Sequence, residues 1–271
     1  MTDYRFPTPI SLLSLTAILA SAYLLNQIFD RESDERNEKC FYLSRGIFHA
    51  RTLVIYALVF FVIASLAFKR AADVQRAPLV AALLLSLLYS LPPARLCARP
   101  FFDIAANAIG YGAVAYVLGF GAYQSTPLRA IVSSAPYVLL VASTFLHTTI
   151  LDAAGDKAVG KISTTVFIGE RASVNLAATL HVLAVVCALA TGNYAALAVT
   201  GLSLPVTLRT IVKRQREASA VLVQVITLVV TAAAIVSWPT YAIIVVPLII
   251  LSRFYYRRRF GITYPGVRKS V

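Results

Sequence analysis

The stretch Tyr23-Leu-Leu-Asn26-Gln-Ile-Phe-Asp30-Arg-Glu-Ser-Asp34-Glu-Arg-Asn37-Glu-Lys39 closes an apolar run, Pro9 to Ile28, that carries no charge at all. If the helix continues through it, Asn26, Asp30 and Asp34 lie four residues apart. They then stack on one face, each about 6 Å above the last. A second pair, Asp152 and Asp156, closes another apolar run. One such pair is common on solvated helices. Two of them, each ending a membrane-length segment, are a stronger signal, because their like charges repel along a helix unless a cation lies between them. Magnesium is the economical candidate.

The surrounding chain is built for lipid. Of its 271 residues 59% are hydrophobic and only 12 are acidic, too little charge to clothe a soluble domain of this length. Mean hydropathy is +0.75, and apolar runs near the ~20 residues that cross a bilayer recur along the sequence. We read nine spans, at 7–29, 47–68, 77–92, 101–123, 128–151, 171–191, 193–212, 218–237 and 239–256. The fold class is therefore an all-α, polytopic transmembrane bundle of about nine helices around a central cavity, forming one domain over 1–271. The first run is a poor cleavable signal, with Arg5 alone ahead of it and the Asp cluster straight after. Cys40, Cys97 and Cys187 have no metal-ligand spacing and no disulfide framework.

The net charge of +13 could suggest a nucleic-acid partner, but topology explains it better. With the loop after the first span placed in the cytoplasm, 20 of the 25 Lys and Arg residues fall on that side. That asymmetry orients the chain in the cell membrane. It also puts both Asp pairs at the cytoplasmic ends of the first and fifth spans, four helices apart, as in two similar four-helix units.

Other helix ends bring polar residues to the same depth. The third span ends in Tyr89-Ser-Leu-Pro-Pro-Ala-Arg95, where paired prolines stop the helix and return a cation toward the Asp cluster. The fourth opens with Asp103, Asn107 and Tyr111, and the fifth carries Thr144, Thr148, Asp152 and Asp156. Polar stripes within apolar spans face a bundle interior or a wet cavity. Magnesium takes one or two protein carboxylates, waters and substrate phosphate oxygens, so opposed Asp pairs suit a diphosphate. Arg95, Lys39, Lys157 and Lys161 can bind the remaining phosphate oxygens. Tyr23, Phe29, Tyr89 and Tyr111 can steady an allylic cation by about 0.5–2 kcal/mol each. Plainer readings stand beside these. Arg95 can be a topological anchor, Asp103 a helix cap, His147 a hydrogen-bonded structural residue rather than a base, Cys97 a buried thiol, and Arg257–Arg259 a headgroup anchor.

These residues resemble the UbiA superfamily of intramembrane prenyltransferases. Asn26, Asp30 and Asp34 fill its N-x-x-x-D-x-x-x-D motif. Asp152 and Asp156 fill its D-x-x-x-D motif, followed by Gly160, Lys161, Ser163 and Thr164. The string Asn26-Gln27, Asp30, Glu32, Asp34, Asn37, Lys39, Gly46 resembles the homogentisate prenyltransferase branch, and the Tyr89–Arg95 element that branch and chlorophyll synthases. The resemblance covers about residues 20–170. It implies that Asp30, Asp34, Asp152 and Asp156 are catalytic and, with Asn26, hold magnesium. It also implies that Asn26, Tyr89, Arg95, Asn107, Lys157 and Lys161 bind substrate. The expected partners are an isoprenyl diphosphate, a lipophilic acceptor (an aromatic one among the candidates) and membrane lipids. The expected reaction is prenyl transfer. A membrane terpene cyclase of the same superfamily is the close alternative, and an ion-coupled transporter the distant one, disfavoured because transporter sites lie near the midplane. Two departures stand out: the chain starts directly with the motif helix, and Cys97 stands where relatives commonly carry Lys.

Overall fold

The computed structural model describes residues 9–39, 42, 43, 45–120 and 127–261. The first residues of span one, 121–123 of span four, Cys40 and Arg268 lie outside them. Among the described residues there are nine long helices, seven of them apolar and long enough to cross a membrane by length and composition. The other two are Asp73–Ser90 and Tyr241–Phe260.

Helix α1 (Pro9–Phe29) follows the apolar run and pairs with α3 (Ala50–Phe68) through small residues. Ser14 Oγ donates to the Ala64 carbonyl and Ser21 Oγ to the Ala57 carbonyl, both at 3.0 Å. Two contacts seven residues apart on each helix lock an antiparallel pair two turns long. Small side chains allow that approach where lipid offers no hydrophobic drive. Between these helices lies α2 (Arg31–Arg36), a single short turn-and-a-half set off from α1 by Asp30.

Helix α4 (Asp73–Ser90) starts four residues before the expected position 77, because Asp73 and Arg76 form an i,i+3 ion pair at 2.8 Å in its first turn. It ends where expected: Leu91 is extended ahead of Pro92. The fourth span is three pieces, α5 (Phe102–Asn107), a π-helical segment (Ala108–Val114) and α6 (Ala115–Phe120). The π segment packs on α7 (Pro127–Ala158) at Gly112, where a Cβ would lie 2.5 Å from the Val138 Cα. No larger residue fits that crossing.

Helix α7 runs seven residues past the expected 151. At 1.5 Å per residue its 32 residues span about 48 Å, well beyond a ~30 Å hydrocarbon core. Both Asp152 and Asp156 therefore lie within a helix rather than at its end. After the short α8 (Thr164–Ile168), helices α9 (Glu170–Ala190), α10 (Tyr194–Lys213) and α11 (Arg216–Ser237) follow. Successive contacts of α7, α9, α10, α11 and α7 again close a four-helix group. The first four spans make the other group, and the two meet where α7 touches α2 and the π segment. Helix α12 (Tyr241–Phe260) buries no residue. Its end rests on Tyr42, with the Tyr256 and Phe260 rings at 6.4 and 6.0 Å from it.

Candidate active site

The first Asp motif survives a break in its helix. Asp30 leaves helical geometry at φ −99°, ψ 9°. Even so, its N–H still donates to the Asn26 carbonyl at 2.8 Å, and the Asp34 N–H to the Asp30 carbonyl at 2.8 Å. The i,i+4 ladder thus passes through the kink, and Asn26, Asp30 and Asp34 remain on one face. Asn26 Nδ2 donates to Asp30 Oδ2 at 3.1 Å.

All five motif residues line a single cavity of about 340 Å³ between the two helix groups. Asp30, Asp34 and Asp156 are buried and Asp152 half-buried. Two lysines join the motifs. Lys161 Nζ lies 2.9 Å from Asp30 Oδ2 and 3.5 Å from Asp156 Oδ1. Lys39 Nζ lies 2.5 Å from Asp152 Oδ2 and 3.5 Å from Asp34 Oδ1. Each lysine therefore bridges a carboxylate of one motif to a carboxylate of the other. Ser33 Oγ adds a hydrogen bond to Asp156 Oδ1. Burial pushes the Lys161 amine toward its neutral form, but Asp30 and Asp156 outweigh it and raise its pKa above the ordinary lysine value.

Lys161 reaches back because α7 stops at Ala158 and Gly160, at φ +73°, reverses the chain. Lys157, still on the helix, is exposed and does not line the cavity. The expectation that it binds phosphate beside Lys161 is not supported by its position. Tyr89, Asn107, Tyr23 and Tyr111 do line the cavity; Phe29 does not. Arg95, in the left-handed region at φ 39°, sends NH2 to the Phe29 carbonyl at 3.0 Å and to Asp30 Oδ1 at 3.4 Å. Arg99 instead donates to the Pro93 carbonyl at 2.9 Å. Cys97 is buried in the lining, its Sγ 3.9 Å from Asp30 Oδ1. Burial first, and Asp30 second, push its thiol up to about 11, so it stays protonated and uncharged. Position 97 thus carries no cation, and the cations within 4 Å of the Asp30 carboxylate are Arg95 and Lys161 among the described residues.

Asp103 does not cap the fourth span: Phe101 precedes α5 with no side-chain cap, and Asp103, inside the first turn, instead accepts the Thr164 N–H at 2.8 Å and the Thr164 hydroxyl, fastening the chain after the second motif. The plainer reading of the histidine agrees with its surroundings. His147 is fully buried, does not line the cavity, and bonds through Nδ1 to Ser219 Oγ at 3.0 Å.

Two contributors appeared in the sequence only as members of the family strings, with no role assigned. Ser163 lines the cavity with a buried hydroxyl that has no hydrogen-bond partner among the described residues. Asn37 clasps the second motif: its Nδ2 donates to the Asp152 carbonyl, and its Oδ1 accepts from the Gly155 N–H, both at 3.0 Å. A Cβ on Gly155 would lie 2.4 Å from Asn37 Cγ. Asn37→Ala should therefore cost about 1–3 kcal/mol of stability. Gly155→Ala should cost a similar amount by overpacking. Restoring space in the double variant Asn37→Ala/Gly155→Ala should return part of the Gly155→Ala loss in thermal unfolding; strictly additive losses would mean the two residues do not meet.

A UbiA prenyltransferase family model matches residues 5–220, most of the chain. The chain belongs to the UbiA prenyltransferase family. Its activity is accordingly that of a membrane transferase of alkyl groups other than methyl. No curated protein sequence matches it. Solved structures share the UbiA fold at low identity. A UbiA homolog from Archaeoglobus fulgidus bound to GPP and Mg2+ is 19% identical, with TM-score 0.63, covering 82% of this chain and 87% of that one. The same homolog bound to DMAPP and Mg2+ has TM-score 0.61 at 18% identity, with 82% and 86% covered. The apo UbiA homolog from Aeropyrum pernix K1 has TM-score 0.65 at 18% identity, covering 86% of this chain and 92% of that one.

Proposed function

We propose that this UbiA protein carries out magnesium-dependent transfer of a prenyl group from an isoprenyl diphosphate to a lipophilic acceptor, an aromatic one among the candidates. The observation that carries this is the double lysine bridge: Lys39 and Lys161 each tie one Asp motif to the other across one cavity. The two motifs thus share a site. The solved homolog from Archaeoglobus fulgidus holds GPP or DMAPP together with Mg2+. The Tyr89–Arg95 element supports the aromatic-acceptor branch.

The donor set fits magnesium. The four carboxylates and the Asn26 amide offer oxygen alone, the choice of a hard cation. Among the described residues no three carboxylate, imidazole or thiol groups are grouped so as to hold one ion by themselves. Water and phosphate oxygens would complete the shell, as magnesium prefers. Asn26, Asp30, Asp34, Asp152 and Asp156 would hold it, and bound magnesium would offset the charge gathering on the diphosphate as its C–O bond breaks.

The chain's own residues do the rest. Lys39 and Lys161, in the cavity lining, and Arg95, outside the lining but beside Asp30, bring positive charge to the phosphate oxygens, and Ser163 offers a hydroxyl donor. Leu15, Leu19, Ala82 and Leu85 form the apolar arm of the cavity, which takes the isoprenoid tail away from water. Tyr23, Tyr89 and Tyr111 face the same space and stabilise the allylic cation by about 0.5–2 kcal/mol each. Arg95→Ala should raise the KM for the diphosphate about tenfold or more, as loss of a charge-assisted bond does. Arg99→Ala should leave it near the wild-type value, and equal effects would return Arg95 to a topological role.

The reaction end faces the cytoplasm in this reading, on the strength of the 20-to-5 charge split. Glu35→Cys, at an exposed position on α2, should label only from that side in intact cells. The functional test uses membranes carrying the protein, labelled isoprenyl diphosphates of several lengths, magnesium and a lipid extract. A lipid product heavier than its acceptor by one prenyl group is expected. A prenyl-derived hydrocarbon formed without acceptor would instead identify a cyclase, and the absence of any lipid product would refute the proposal.

A further inference from the structure

A second cavity, of about 390 Å³, lies behind α7, on the far side of that helix from the Asp motifs. It opens where α9 begins, α10 ends and α11 begins, level with Ile150 on α7, and so at the motif end of the bundle. Three arginines line it: Arg171 on α9, and Arg214 and Arg216 on either side of Gln215 in the α10–α11 link. One carboxylate lines it too, Glu170, which pairs with Arg216. Arg171 forms no ion pair among the described residues, and the Arg214 Nε donates to the Ile211 carbonyl at 3.0 Å. The pocket therefore carries an excess of two guanidinium charges. Charge asymmetry in the sequence explains why basic residues sit on this side, but not why three of them converge on one hollow.

We propose that this hollow binds the phosphate of an anionic phospholipid headgroup. Guanidinium forks match phosphate oxygens in pairs, and basic pockets between helix ends suit lipid headgroups. The flanks favour a lipid over a free anion. Ile150 and Val174 make an apolar wall. On the helices that frame the hollow, Val212 near the end of α10 is 82% exposed and Val221 on α11 46%, apolar surface of the kind that acyl chains cover. Ser219, in the lining and bonded to His147 on α7, ties the floor to the helix that bears the second Asp motif. A headgroup held there fastens α9, α10 and α11 against α7 from outside the reaction chamber.

The test is native mass spectrometry of the full-length protein in detergent, titrated with dioleoyl phosphatidylglycerol or dioleoyl phosphatidylcholine. The wild type should take up phosphatidylglycerol at about tenfold lower concentration than phosphatidylcholine. Arg171→Gln/Arg214→Gln should bring that preference close to one. Lys69→Gln/Arg70→Gln, which removes as much charge at the exposed end of α3, should leave it unchanged. Should the double pocket variant fail to fold, Arg171→Gln alone, at an exposed and unpaired position, should still lower the preference by about threefold. An unchanged preference in either pocket variant, or an equal loss in the α3 variant, would overturn the proposal. So would displacement of the lipid by an equal concentration of inorganic phosphate, which would make a free anion the ligand.

Discussion

Asp30→Asn should abolish turnover while the protein still folds and inserts, and Asp152→Asn should do the same. Each exchange keeps the shape of the side chain and removes one charge from a cavity where both motifs meet. Losing several kcal/mol of charge stabilisation on the leaving diphosphate, about 4 kcal/mol, lowers kcat roughly 10³-fold. Because the two carboxylates serve one assembly, the double variant should be little worse than either single one. Multiplying losses in steady-state assays would mean that the motifs act separately.

Lys161→Gln should produce the largest loss of stability. Lys161 holds Asp30 and Asp156 together, with side-chain exposures of only 12%, 8% and 3%. Its removal leaves two buried carboxylates facing each other, a change that costs about 3 kcal/mol or more. In a chain of this length that is a fall of roughly 5–10 °C in Tm. The pH dependence follows from the raised pKa of the amine in the folded protein. The contribution is present in full below the unfolded value of about 10.4 and is lost as pH rises through the folded one. The wild-type Tm should therefore turn down at strongly alkaline pH, and Lys161→Gln should lack that part of the decline. Added magnesium should return some of the variant's stability at neutral pH by placing positive charge between the same carboxylates. A variant as stable as the wild type at every pH would show that Lys161 is merely near the Asp pairs.

The Asp motifs and the helical bundle were legible because they rest on spacing. Four-residue intervals fix a face, and apolar runs fix the spans. The paired prolines after Ser90 were equally direct, since proline constrains the residue before it. What spacing could not convey was where chain reversals carry side chains. Lys157 and Lys161 look equivalent in sequence, yet Gly160 turns one into the cavity and leaves the other exposed. The extent of α7 was hidden because its last two turns are polar and leave the apolar pattern before they leave the helix. The π segment at Ala108–Val114 has no compositional mark beyond small residues. Asn37 and Gly155 lie more than a hundred residues apart, and only the fold brings them together. The second, arginine-lined cavity was hidden in the same way, by charges that topology already explained.

The central claim is that both Asp motifs hold one magnesium–diphosphate complex. Calorimetric titration of the purified protein with geranyl thiolodiphosphate, a substrate analogue that resists ionisation, tests it most directly. The account predicts one analogue bound per chain, binding that requires magnesium, and affinity weakened about a hundredfold in Asp30→Asn and Asp152→Asn alike. Wild-type affinity in either variant, or binding indifferent to magnesium, would contradict it.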